Sequence, residues 1–151
     1  MIRGVSFTIN RQVGDILHSM LSEIDAEKYY WHIVLSQTEA LDELFENTIF
    51  LSEYYDGKAL LGCNFHNSHI VFLKLEAYFE KKCANPILSY TDFQESDCQL
   101  LLLINDCENA ELYVKSESLL HSAEKCIQKH HCYPYSFITD ENDKRIKMNV
   151  L

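Results

Sequence analysis

Two short stretches carry many of the side chains in this chain that could do chemistry. CNFHNSH runs from Cys63 to His69 and CIQKHHC from Cys126 to Cys132, so that each packs thiol and imidazole groups into seven residues. These are the donors that zinc prefers, yet structural zinc sites use closely paired cysteines or histidines, and neither stretch has that spacing. If Asn67-Ser68 is a two-residue turn, His66 and His69 oppose each other across a hairpin, while Cys63 points to the other side of its strand. Cys126 and His130 share a helical stripe with Leu119, Leu120, Ala123 and Ile127, which makes them part of a face that packs on a sheet. His130 and His131 would close that helix, where donors meet free carbonyls, and Cys132 follows it. The metal candidates are thus His66 with His69, or Cys126, His130 and Cys132. Core packing explains both stretches without a metal, and no cofactor is expected.

Other catalytic signatures are missing. The sequence has no G-x-S-x-G elbow, no phosphate-binding glycine loop, no dinucleotide fingerprint and no H-E-x-x-H pair. A thiol nucleophile needs a base beside it in space, and Cys63, Cys98 and Cys107 are the thiols that a histidine could reach. A small enzyme or ligand-binding protein would draw on His32, His66, His69 and Cys98 in a pocket between helix and sheet. TDENDK (Thr139 to Lys144) resembles a calcium loop at Asp140 and Asn142, but it lacks the required glycine and the closing glutamate. A polar hairpin turn accounts for it, and the balance leans against an enzyme.

The strongest candidate surface is acidic. From Thr38 to Asp56 the chain has six acids (Glu39, Asp42, Glu43, Glu46, Glu53, Asp56) and no Lys or Arg, with Phe45, Phe50, Tyr54 and Tyr55 among them. Aromatics set among acids suit docking to a basic protein. The plainer reading is a solvated helix and loop whose aromatics cover the sheet. Glu39, Asp42, Glu43, Phe45, Glu46, Tyr54 and Tyr55 are the expected contact residues. Neutralising Glu39, Asp42, Glu43 and Glu46 together is expected to abolish partner capture and leave the fold intact. The function expected is that of a non-enzymatic interaction or regulatory module with a basic protein partner.

These residues must be held by a chain of 151 residues, 47% hydrophobic, with a net charge of −10. That length supports one domain with its own core. The acidic balance argues against nucleic acid and against anionic membranes, both of which need surplus Lys and Arg. No export signal opens the sequence, and the longest aliphatic run, Leu100 to Ile104, is five residues, too short for a bilayer. Six scattered cysteines read as free thiols in a reducing cytoplasm.

Alternation predicts a strand over residues 3–9. Asn10 is expected to cap a helix over about 11–24, whose apolar face is Val13, Ile16, Leu17, Met20, Leu21 and Ile24. A strand follows at 29–35, then a short helix through Leu41, Leu44 and Phe45, a strand at 49–51 and a hairpin at Asp56-Gly57. Residues 59–65 and 70–79 read as strands, with Lys74, Glu76 and Tyr78 on the second face of the latter and a helix over 73–82 as its alternative. Exposure of Ile70 and Phe72 there would favour a homodimer over a monomer. Residues 99–104 read as a central strand that returns at 111–115. A second long helix spans about 117–131, and 135–139 with 145–150 form a closing hairpin. The expected class is α+β, a mainly antiparallel sheet with two principal helices.

One resemblance supplements this reading. Arg3 to Ile9 (R-G-V-S-F-x-I), Gly14, a helix ending in Ile24-Asp25, then Tyr30-Trp31 and Ile33 are similar to a family of small bacterial proteins. The family is found in Bacillus and its relatives as domain of unknown function 2691. Phe137 to Arg145 (F-I-T-D-E-N-D-x-R) resembles its closing hairpin, with Lys144 where the family has glycine. The resemblance implies a single-domain cytoplasmic protein of no established activity, and so no catalytic residues to carry over. Gly4 and Gly14 read as sites of close backbone approach, Trp31 as a core anchor with a bonded N–H, and Arg145 as a partner for Asp140 or Asp143.

Overall fold

The computed structural model describes residues 1–81 and 84–151; Cys83, one of the six thiols, lies outside the described residues. Among them eight strands form one antiparallel sheet: β1 Ile2–Thr8, β2 Tyr30–Ile33, β3 Glu39–Leu41, β4 Tyr54–Asp56, β5 His69–Tyr78, β6 Cys98–Asn105, β7 Asn109–Val114 and β8 Tyr135–Thr139. Their order is β4-β2-β5-β6-β7-β1-β8, with β2 paired to the C-terminal half of β5 and β3 to its N-terminal end. The helices are α1 Val13–Glu23, α2 Gly57–Leu61, α3 Tyr90–Glu95 and α4 Glu117–Lys129. This is the α+β class expected, with the two long helices where the apolar stripes put them.

β6 explains the architecture. Leu100, Leu102 and Ile104 join one cluster of buried side chains, and Cys98, Leu101 and Leu103 join another. A strand apolar on both faces must be covered on both. α1 and α4 cover the first face through Leu17, Leu21, Leu119 and Ile127, and Trp31 is buried there with Nε1–H donated to the Ala26 carbonyl at 3.0 Å. Residues 84–96 and the C-terminal tail cover the second face, placing Ile87, Phe93, Met148 and Val150 over Leu101, Leu103 and Tyr113. No helix among the described residues is long and apolar enough to cross a membrane.

Several local expectations give way. α1 starts after Gln12 without a side-chain cap, because Asn10 donates instead to the His131 carbonyl at 2.7 Å. No helix forms at Leu41, Leu44 and Phe45: the Asp42 carboxylate accepts the amides of Glu46 and Asn47, and Phe45 takes a left-handed φ of 58°. Both features end helical growth. Residues 49–51 form no strand, and a lone bridge joins Leu41 to Thr48. Asp56-Gly57 is not a hairpin and 59–65 is not a strand. Asp56 caps α2 by accepting the Ala59 amide at 2.7 Å, and a Cβ on Gly57 would sit 1.9 Å from the Ala26 carbonyl oxygen. Residues 145–150 do not pair with β8, which lies along β1. Instead Gln37 Oε1 accepts the amides of Val150 and Leu151 and pins the tail across the sheet. Ile70 is buried and Phe72 half-buried, which removes the argument for a dimer through that face.

Candidate functional site

The acidic segment is a braced loop between β3 and β4. Its base is Asp42, whose carboxylate takes the Glu46 amide at 2.9 Å and the Asn47 amide at 3.1 Å. Those backbone hydrogen bonds hold the carboxyl below the ordinary aspartate value. Further along, the Tyr55 hydroxyl accepts the amides of Leu51 and Ser52. Phe45 stacks on His69 with centroids 3.7 Å apart, and His69 Nε2 donates to the Glu43 carbonyl at 3.1 Å. Leu44, Phe45, Leu51 and Tyr54 are 71%, 63%, 88% and 40% exposed. Glu39, Glu43, Glu46, Glu53 and Asp56 stand exposed around them.

The expected contact set therefore divides. Glu39, Glu43, Phe45, Glu46 and Tyr54 face outward, whereas Asp42 and Tyr55 build the loop. Neutralising Asp42 with the glutamates would loosen the surface itself, so a fold-neutral test keeps Asp42. The exposure of Leu44 and Leu51, the most exposed apolar residues of the segment, has no signal in the sequence, where Leu44 has the spacing of a helix face and Leu51 the composition of a strand.

The two thiol-imidazole stretches separate in space. His66 is exposed with Nδ1 3.7 Å from Asp15, while His69 turns to Phe45 and Glu43, so the two do not oppose each other. The segment between them is a turn closed by the Ser68 hydroxyl on the Phe65 carbonyl at 2.6 Å. Cys126 and Cys132 are buried. His130 Nε2 lies 2.7 Å from Ser19 Oγ, and the Cys126 thiol reaches the same hydroxyl at 3.8 Å. Burial first, then Lys129 and Arg11, push the His130 imidazole below its usual value. These bonds link α1 to α4. Among the described residues no three His, Cys, Asp or Glu side chains are grouped so as to hold a metal. Burial pushes the Cys98 thiol up to about 12 and the Cys132 thiol up to about 11, which leaves both protonated and poor nucleophiles.

A row of polar side chains lies on the second face of the sheet, joined by contacts that sequence spacing does not show. His32 lies directly opposite Glu76 and Tyr54 in register. Its Nδ1–H donates to Glu76 Oε1 at 2.9 Å, and the Tyr78 hydroxyl donates to the same oxygen at 2.8 Å. Lys74, two residues before Glu76 on that face, donates from Nζ to the Ile87 carbonyl at 2.6 Å. Lys74 and Glu76 are both fully buried. Burial lowers the Lys74 ammonium from its ordinary value, and Glu76 works against that fall. The row continues with Arg145, which grips Glu111 at 2.8 and 3.0 Å, and Arg3, which holds Asp140 at 2.9 Å and Asp143 at 3.1 Å. The Arg145 guanidinium thus takes Glu111, while its backbone amide donates to Asp143, one of its expected partners, at 3.1 Å; Asp140 is held by Arg3.

The model of the family described as Protein of unknown function (DUF2691) matches residues 2–149. The chain belongs to that family. It is similar to the uncharacterized protein YncE of Bacillus subtilis (strain 168), at 29% identity over 157 residues, covering 99% of this chain and 100% of that protein. No solved structure matches.

In this member of the family the Arg145–Glu111 pair makes a checkable contribution. Burial alone would raise the Glu111 carboxyl, but the hydrogen bonds and charge of Arg145 outweigh it and leave the carboxyl below its ordinary value. A folded-state value below the unfolded one adds stability above the unfolded value of about 4.3, lost as pH falls through the folded value. Glu111→Gln is expected to cost about 2 kcal/mol at pH 7, as a charge-assisted pair does, and to flatten the acid limb of a denaturation-versus-pH curve. An unchanged acid limb in the variant would assign acid unfolding to other carboxylates.

Proposed function

We propose that this member of the family is a protein-interaction module that docks a basic partner through the loop between β3 and β4. The observation that carries the reading is the exposure of Leu44, Phe45 and Leu51 on a stretch with six acids and no Lys or Arg. An apolar centre ringed by charge of one sign is the composition of a contact patch, and it selects for partners of opposite sign. Asp42 and Tyr55 fix the loop from within, which lowers the ordering cost of association. The protonated state of the buried thiols gives no support to cysteine catalysis.

The test compares wild type with a Leu44→Ala/Phe45→Ala variant and with a Glu39→Gln/Glu43→Gln/Glu46→Gln variant, each immobilised in native cell extract. Wild type should retain a basic protein that high salt releases. Loss of the two apolar anchors should weaken retention about thirty-fold, the equivalent of a hot spot of about 2 kcal/mol. The glutamine variant should lose most of the salt dependence. Equal retention by all three proteins would show that a partner, if held, docks elsewhere.

A further inference from the structure

Beside the acidic loop, the edge of the sheet encloses a hollow of about 440 Å³, within the range of roughly 300–1,000 Å³ common for ligand sites. Strand register decides what faces it. Tyr30 on β2 lies directly opposite Asp56 on β4 and Tyr78 on β5, and Tyr54 lies opposite His32, two residues further along β2. Directly opposed residues, and residues two apart on a strand, share a face. Tyr30, Tyr54, Asp56 and Tyr78 therefore stand on one side of the sheet, and all four line the hollow with Glu80; because it opens at the sheet edge, Trp31, Tyr55 and Ala59 line it as well.

The rings are held in place. Tyr78 is buried and its hydroxyl is committed to Glu76 at 2.8 Å, so its ring is a fixed floor. Tyr54 stacks on His32 at 4.6 Å with 14° between the planes, and its hydroxyl accepts the Ala84 amide at 3.3 Å. Tyr30 and Tyr54 are 39% and 40% exposed, leaving ring surface open to a guest. Aromatic faces carry negative potential, the Asp56 and Glu80 carboxylates add to it, and Glu76 lies buried behind the Tyr78 hydroxyl. Lys81 also lines the hollow and is exposed; its ammonium rides on a flexible stem that can turn to solvent.

We infer that this hollow is an aromatic cage for a cationic side chain, and that its guest is an arginine of the basic partner. The inference rests on the docking reading above, since Tyr54 and Asp56 stand on β4, which follows the acidic loop directly. A planar guanidinium can stack on tyrosine faces while it hydrogen-bonds a carboxylate. An anionic guest would meet like charge from the two carboxylates that line the hollow, Asp56 and Glu80.

The experiment uses the blocked tripeptide acetyl-Gly-Arg-Gly-amide, followed by amide chemical shifts of the full chain. A saturable shift centred on Tyr30, Tyr54 and Asp56 is expected, and the citrulline analogue, equal in shape but uncharged, should bind at least about tenfold more weakly. Tyr30→Leu keeps apolar area but removes the ring, and Asp56→Asn removes charge while keeping the α2 cap; each should weaken binding several-fold with the remaining spectrum unchanged. Equal binding of the citrulline peptide, or no saturable shift with either peptide, overturns the cage. Tighter binding of tetramethylammonium than of the arginine peptide overturns the partner-side-chain assignment in favour of a free small cation. The peptide does not require Leu44 or Phe45, so the two readings fail separately. Peptide binding with loop-independent capture supports the cage and sinks the docking surface, whereas loop-dependent capture without peptide binding sinks the cage alone.

Discussion

Glu76→Ala is expected to destabilise the protein by about 3–5 kcal/mol, the usual consequence of removing one member of a buried charged group. Glu76 is 1% exposed and accepts from both His32 Nδ1 and the Tyr78 hydroxyl. Alanine would leave those two donors facing a void and would remove the negative charge that supports the buried ammonium of Lys74. Against a typical stability of about 5–15 kcal/mol the loss is a large fraction. Glu76→Gln keeps an acceptor for one donor and should cost less, about 1–2 kcal/mol. The pair Lys74→Met/Glu76→Leu, which deletes both charges and keeps the volume, should recover only the part of the loss owed to the void and the unpaired Lys74 ammonium, since the His32 and Tyr78 donors stay without an acceptor. Urea denaturation of the three variants measures all of this. A loss below about 1 kcal/mol for Glu76→Ala would mean that water or a shifted partner replaces the carboxylate, and that the row is not energetically connected.

Gly4→Ala is the second large effect. A Cβ at this position would lie 1.8 Å from the Leu112 carbonyl oxygen, 2.8 Å from the carbonyl carbon and 3.0 Å from the Tyr113 Cα. All three are backbone atoms of β7, the strand that pairs with β1 at Gly4↔Tyr113. No rotamer change can relieve such an overlap; β1 must move away from β7 at a point where it also pairs with β8. Overpacking of a well-fitted interior costs about 1–3 kcal/mol, and a clash confined to backbone belongs at the upper end, about 3 kcal/mol. Reduced solubility should accompany it. Denaturation midpoints within error of wild type would show that β1 can slide without cost.

Much of the frame was legible because the residues carry it locally. Arg3 to Ile9 alternates and becomes β1; Leu100 to Ile104 has no polar side and becomes the central β6; the stripes of α1 and α4 have helical spacing. The failures have identifiable causes. Leu41, Leu44 and Phe45 imitate a helix face, but the Asp42 carboxylate captures the amides that a helix would have used. Ala59 to Phe65 resembles a strand by composition, while Asp56 three residues earlier caps a helix there.

The candidate site was half legible. Its acids are a property of composition, and Tyr54 and Phe45 were singled out, but the exposure of Leu44 and Leu51 depends on a loop shape that no periodicity encodes. The alternation of Lys74, Glu76 and Tyr78 was visible as a face. That residues 84–96 and the tail bury this face is a long-range fact, as is the pairing of Arg3 with both aspartates and of the Arg145 guanidinium with Glu111. The Tyr30–Tyr54–Tyr78 arrangement was equally hidden, since it needs the register of three strands.

The position of β1 has a kinetic consequence. It sits between β7 and β8, and its partners are roughly a hundred residues or more distant along the chain. Closing so long a loop precedes any gain from the pairing, which slows folding. Until β1 arrives, β7 presents an unpaired edge, the kind of template on which partly folded chains associate. Refolding yield should therefore fall with protein concentration even though the finished sheet is fully paired there, and holding β7 apart from its copies is the step at which a chaperone would help most.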